Sequence, residues 1–272
     1  MITPESPVVI RGGGDLATGV AWRLWRSGIP VVVCELAHPL TIRRTVALST
    51  AVTAGSADIE GMVGRLVTLD GIAATLAMTV AATVAAGEIP VLVSPELPGI
   101  EARAVVDARL AKRNIDTTTG DAPLVIGLGP GFTAGVDCHA VIETERGHHL
   151  GRVLWQGSAV PNSGTPGEIG GRGAERVVRA PVAGVVRWEV SIGDIVDPGC
   201  RLGRVGHAPI LAPFRGVVRG LIIDGTEATR ALKIADIDPR VTTNCQEISD
   251  KALAIGGGVL EALLSWEAGR RG

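Results

Sequence analysis

Tyrosine is missing from this chain and phenylalanine occurs only twice, so stacking nucleobases on aromatic side chains is an unsuitable mode for it. Lysine is nearly as scarce: Lys112, Lys233 and Lys251 are the only three among 26 basic residues, and the other 23 are arginine. The formal net charge is −2, which leaves no basic field to draw in nucleic acid. The four cysteines, Cys34, Cys138, Cys200 and Cys245, form no CxxC pair and no even framework, as expected in a reducing cytosol. No metal-ligand spacing is present, His139 with His148 and His149 included, and GxSxG, HExxH and GxxxxGK[ST] are all absent. The longest uncharged run, Gly71 to Gly87, is shorter than the ~20 residues a membrane span needs and reads as a buried helix. Residues 1–7 lack a basic region followed by an apolar core, so no secretory signal is expected and the expected location is cytoplasmic.

What is present is globular. Hydrophobic residues make up 46% of the 272 and charged ones 20%, and a chain of this length buries roughly three quarters of its unfolded surface. Thirty-seven glycines and sixteen prolines point to many tight turns. Val8-Val9-Ile10, a glycine turn, the helical spacing of Val20, Ala21, Leu24 and Trp25, and then Val31-Val32-Val33-Cys34-Glu35 make a strand–turn–helix–strand unit. Helix-like 41–52, strand-like 62–67, helix-like 71–86 and strand-like 89–93 continue the alternation, so residues 1–95 are expected to be a Rossmann-like α/β region with a parallel sheet. A middle α/β region, 96–176, is expected to carry a second glycine loop and a hairpin, with a Gly/Pro-rich loop at 158–173. An internal repeat follows at an offset of 32 residues, Ala180-Pro181-Val182-Ala183-Gly184-Val185-Val186-Arg187 matching Ala212-Pro213-Phe214-Arg215-Gly216-Val217-Val218-Arg219. Residues 177–240 are therefore expected to form a small all-β barrel–sandwich with pseudo-two-fold symmetry, and 241–272 a helical segment.

Three places could carry chemistry. Gly12-x-Gly14-x-x-Ala17, with Gly13 and Asp15 inside it and Glu35 at the end of the next strand, fits a dinucleotide fingerprint: glycines admit a pyrophosphate and the acid takes a ribose hydroxyl. The alternative is a tight turn capped by Asp15. Arg43 and Arg44 could reach a phosphate, or else face solvent on a helix. Gly127, Gly129 and Gly131 form either an anion nest or a sharp turn. Two thiols are candidates for handling sulfur or selenium: Cys245, expected just before a helix N-terminus that would lower its pKa, and Cys138 beside His139. Gly256-Gly257-Gly258 inside the last helical pattern means that the helix breaks there or that something packs very closely.

Taken together, Ile10 to Gly19, Ile42 to Ala47, Val106 to Arg109, Val125 to Phe132, Asp137 to Thr144, Arg146 to His148, Lys233 to Arg240, and Ile248 to Lys251 with Ala254 to Glu261 resemble the YqeB-like family of selenium-dependent molybdenum hydroxylase accessory proteins. The resemblance implies a role in maturing or supporting a molybdenum hydroxylase of the xanthine dehydrogenase type and assigns no catalytic residue. The expected ligand is a phosphorylated cofactor, a nucleotide of the NAD or FAD type or the molybdopterin cofactor. An NAD- or FAD-dependent oxidoreductase and a non-catalytic docking scaffold are the alternatives, and both turnover and homo-oligomer formation stay open. The repeat also resembles biotinyl/lipoyl-type domains, whose carrier lysine sits between the two halves. Here that connection, Val205 to Ile210, holds none, so no covalent lipoyl or biotin is expected.

Overall fold

The computed structural model describes residues 3, 6–68, 73–162, 164 and 167–269. The chain divides into two compact units, one built from residues 1–37, 47–162 and 248–272 and the other from 38–46 and 163–247.

The first unit is organised by β1 (Val8–Arg11), whose β-branched residues are buried on both faces. Helix α1 (Asp15–Arg26) follows, turning Leu16, Ala17, Val20, Ala21 and Leu24 inward and ending at Gly28, whose φ of +71° is left-handed. Then come β2 (Val31–Glu35), two 3₁₀ turns, the single-turn α2 (Ala51–Ala54), β3 (Ser56–Ile59) and β4 (Met62–Val67). Helix α3 (Ala73–Ala85) covers most of the expected 71–86 segment; Gly71 and Ile72 lie outside the described residues. The chain goes on through β5 (Ile89–Val93), β6 (Ala104–Asp107), β7 (Leu124–Leu128), β8 (Thr133–Ala134), β9 (Ala140–Ile142), β10 (Val153–Leu154) and β11 (Gly157–Ser158). Nine of these strands form one sheet in the order β10-β9-β7-β6-β1-β2-β5-β4-β3, and β8 pairs separately with β11.

This sheet corrects the Rossmann-like expectation. It is mixed: β3 and β10 at its two edges run antiparallel to their neighbours. It does not stop at residue 95 but continues through β6, β7 and β9, and β6 passes to β7 with no crossover α-helix. A doubly wound sheet is covered by its own crossover helices. Here α1 is joined on its face by α4 (Asp250–Glu267), which arrives from the far end of the chain, and both helices feed one core with β1 and β7. Local periodicity shows a strand and a helix but not which distant segment covers them.

The second unit is antiparallel. β12 (Val177–Arg179), β13 (Gly184–Trp188), β14 (Ile195–Val196), β15 (Arg201–Val205), β16 (Ala208–Leu211), β17 (Gly216–Leu221), β18 (Glu227–Ala228) and β19 (Lys233–Asp238) form two four-stranded sheets. Their orders are β12-β19-β17-β14 and β16-β15-β13-β18. A shift of 32 residues carries β12 to β15 onto β16 to β19 and converts the first order into the second. Each sheet thus takes strands from both halves, and Val186, Leu202, Val205, Val218, Ile234 and Ile237 share one core. The all-β barrel–sandwich expected over 177–240 is corrected too: the unit is two four-stranded antiparallel sheets completed by residues 38–46, and the helix of the 241–272 segment belongs to the first unit.

Among the described residues, no helix is long and apolar enough to cross a membrane.

Candidate functional site

The first glycine turn starts where β1 ends. Gly12 has φ +97°, and a Cβ there would lie 3.1 Å from the Ala108 carbonyl oxygen. The Gly13 amide donates to Glu35 Oε2 at 2.7 Å, and Ser49 packs so close that a Cβ on Gly13 would meet its nitrogen at 2.9 Å. The other oxygen of Glu35 accepts from the Leu36 amide, so the acid expected at a ribose is engaged by two backbone donors. Gly14 is the N-cap of α1, with no side-chain cap, and Asp15 is the first helical residue; the expectation that Asp15 caps the turn is corrected. Ala17 is buried against the core.

Beside this turn lies a polar network that sequence reasoning left unassigned. Arg11, 3% exposed at the end of β1, donates to both oxygens of Asp116 at 2.7 and 2.9 Å and to Thr117 Oγ1. Arg109 bonds Asp107 and Asp116, and Thr117 donates to the buried Asp107. Hydrogen bonds from Arg11 and then Arg109 hold the Asp116 carboxyl down at about 2. The visible trace in the sequence is Val106-Asp107-Ala108-Arg109.

The second glycine loop is packed by protein atoms as well. A Cβ on Gly127 would lie 2.5 Å from Phe132 Cγ, one on Gly129 would strike the Thr144 hydroxyl, and one on Gly131 would lie 2.6 Å from Arg113 Cα. Cys138 is buried, which pushes its thiol up to about 12, and His139 Nδ1 accepts from the Val125 amide. Neither neighbour makes the other reactive.

In the second unit the structure brings Arg43 and Cys245 to one place. Asp236 and Asp238, two apart on β19, put both carboxylates on the same face, where both are buried. Asp236 accepts from Arg43 at 2.8 Å and from Arg176 at 3.2 Å. Asp238 accepts from Arg219 at 2.9 Å and from Arg240 at 2.8 Å. Burial works to raise the Asp238 carboxyl, but the hydrogen bonds and charge of Arg240, with Arg219, bring it to about 2. Opposite Asp236 stands Gly220, and the Ile42 backbone together with Arg43 Cγ occupies the room a side chain would need there. The Leu221 amide donates to the Ile42 carbonyl, and Arg44 Nε donates back to the Leu221 carbonyl, so Arg44 pins this segment rather than facing solvent. Cys245 lies 3.9 Å from the Val218 carbonyl. Its expected helix N-terminus is corrected: α4 begins at Asp250 behind the N-cap Ser249, and burial raises the Cys245 thiol. Arg176 and Arg219 escaped the sequence reading because nothing distinguishes them among 23 arginines. Among the described residues, no group of three or more His, Cys, Asp or Glu is placed to hold a metal ion.

No family model matches the chain. Over 97% of its length it is 48% identical to YqeB of Escherichia coli (strain K12), a protein named as uncharacterized. Over nearly its whole length the chain is therefore similar to a YqeB-like protein. It spans 49% of that relative's length. Among solved structures it is similar to a succinylglutamate desuccinylase/aspartoacylase from Rhodobacter sphaeroides, with 16% identity over 85% of this chain and 86% of that one and a TM-score of 0.24. An aspartoacylase family protein from Mesorhizobium loti gives 14% identity over 86% of each chain and a TM-score of 0.26. At these TM-scores neither similarity carries an activity or a residue role to this chain.

Proposed function

We propose that the chain acts as an accessory protein for a molybdenum hydroxylase of the xanthine dehydrogenase type, selenium-dependent as the family resemblance implies, and binds a phosphorylated cofactor at the turn after β1. The observation that carries this reading is the start of α1. It follows the carboxyl end of the central strand β1, the end at which open parallel sheets bind ligands, and its N-cap Gly14 has no side-chain cap. Helix amides in that position attract phosphate through both hydrogen bonds and the helix dipole. With the Gly13 amide held by Glu35, the amides from Gly14 onward are the donors this reading assigns to the ligand. An oxidoreductase draws less support, because Glu35 is engaged by backbone and Cys138 is buried beyond reach of a substrate.

The test is thermal denaturation with NAD, FAD, nucleoside triphosphates and molybdopterin cofactor. A genuine ligand at one hundred times its Kd stabilises by about 2.7 kcal/mol, and Gly14→Val abolishes the shift. If none of these compounds moves the wild-type midpoint, the turn is a packing device and the proposal fails.

A further inference from the structure

The arginines of the second unit make a case of their own, independent of the glycine turn. Arg176 is 4% exposed, in a 3₁₀ turn just before β12. Its two terminal nitrogens donate to the Gly167 carbonyl and to Asp236, whereas its Nε is buried and has no hydrogen-bond partner among the described residues. Buried N–H groups are nearly always satisfied, and one on a cation is the costliest kind to leave bare. Arg219, 9% exposed, spends one terminal nitrogen on Asp238. Neither arginine has a carboxylate to itself: Arg176 shares Asp236 with Arg43, and Arg219 shares Asp238 with Arg240. Two buried cations that each share their carboxylate with a second arginine, one of them carrying an unused donor, make an arrangement that an added anion completes.

We infer that Arg176 and Arg219, seated on the Asp236 and Asp238 face of β19, form a binding site for a compact oxyanion of the phosphoryl class. The planar guanidinium fork matches the oxygen spacing of such a group, which a chloride ion does not. Asp236 and Asp238 do not compete for it; they hold the two forks at fixed positions on one strand. Gly220 has its part in this, because the close approach of Ile42 and Arg43 over that glycine closes the face on one side. Cys245, a protonated thiol with its sulfur against the Val218 carbonyl, lines the same face without adding negative charge.

The experiment titrates inorganic phosphate into the full chain at constant ionic strength, with chloride as the balancing ion. It reads the ³¹P line width and the thermal midpoint. The expected result is saturable broadening with a rise in midpoint, weakened at least tenfold in Arg176→Lys and in Arg219→Lys. Both replacements keep a positive charge but lose the fork. Arg187→Gln, which breaks an exposed ion pair with Asp224 on the other sheet, leaves both readouts unchanged. Should Arg176→Lys fail to fold, Arg219→Lys and the wild-type titration decide the matter. Glycerol phosphate and sulfate serve as competitors: tighter binding of the monoester identifies a phosphorylated metabolite, and tighter binding of the inorganic ions identifies a free oxyanion. Absence of saturable broadening in the wild type overturns the inference, and so does binding that both lysine variants keep at full strength.

Discussion

Three consecutive glycines in one helix should respond to alanine in opposite directions. Helix α4 runs unbroken through Gly256, Gly257 and Gly258. In open helix, alanine is favoured over glycine by about 1 kcal/mol. At Gly257 nothing lies within 4 Å of a new Cβ, so Gly257→Ala is expected to stabilise by about that amount. At Gly256 the new carbon would lie 2.5 Å from the Gly19 carbonyl oxygen and 2.9 Å from Arg23 Cγ, both on α1. The first of these is backbone of a buried helix and cannot swing aside. Overpacking of this kind costs roughly 1–3 kcal/mol, and the upper end applies where backbone must move. Gly256→Ala is therefore expected to destabilise by about 2 kcal/mol net of the propensity gain. Gly258→Ala behaves likewise, its Cβ colliding with the Gly151 carbonyl. Urea denaturation followed by circular dichroism measures all three, with an unchanged m-value as the check that only stability has moved. A destabilised Gly257→Ala or an unaffected Gly256→Ala would refute the claim that α1 and α4 meet backbone to backbone.

Other consequences are as direct. Only Cys200 is exposed, and burial pushes Cys34 and Cys138 up to about 12 and raises Cys245, so brief alkylation of the folded protein at pH 8 labels one thiol and denaturation releases the other three, as counted by mass spectrometry. Asp238 is depressed from 3.8 to about 2, so its contribution is fully present above pH 3.8 and is lost as the pH falls toward 2. Asp238→Asn should then cost roughly 2 kcal/mol at neutral pH and flatten the acid limb of the stability profile between pH 4 and 2. The intact mass of protein made in a lipoylation-competent host should equal that of the bare polypeptide, since the turn between β15 and β16 presents Gly206 and His207; added mass on Lys233 or Lys251 would contradict this.

Much of the fold was legible where the signal is local. The β-branched runs of β1 and β2 and the apolar spacing of α1 are visible by eye, and the 32-residue offset recurs strand by strand in the second unit. The failures share one cause. Residues 41–52, expected to be helix-like, form two 3₁₀ turns and the short α2, and β3 went unseen because a four-residue edge strand with alternate residues exposed carries little pattern. The extent of the sheet depends on the pairing of β1 with β6, 96 residues apart, and its covering by α4 on packing against α1 from more than two hundred residues away, about which periodicity says nothing. Gly19, Gly256 and Gly258 did leave a trace, for a glycine inside a helix signals close approach without naming the partner.

The same ambiguity explains why the candidate residues divided as they did. A glycine at a strand end admits any backbone or ligand that comes near, so a fingerprint such as Gly12 to Ala17 registers proximity rather than its object. Here Gly12 and Gly13 meet Ala108 and Ser49, and Gly127, Gly129 and Gly131 meet Phe132, Thr144 and Arg113, all atoms of the chain itself. An arginine is different, because its donors can be counted. Arg11 delivers its fork to Asp116 and Thr117, whereas Arg176 keeps a buried Nε with no partner among the described residues. Unspent hydrogen-bonding capacity, unlike a missing side chain, points outward to a group the polypeptide does not supply. By that criterion the arginine face of β19 is a stronger ligand site than either glycine loop, although only Arg43 and Cys245 marked it in advance.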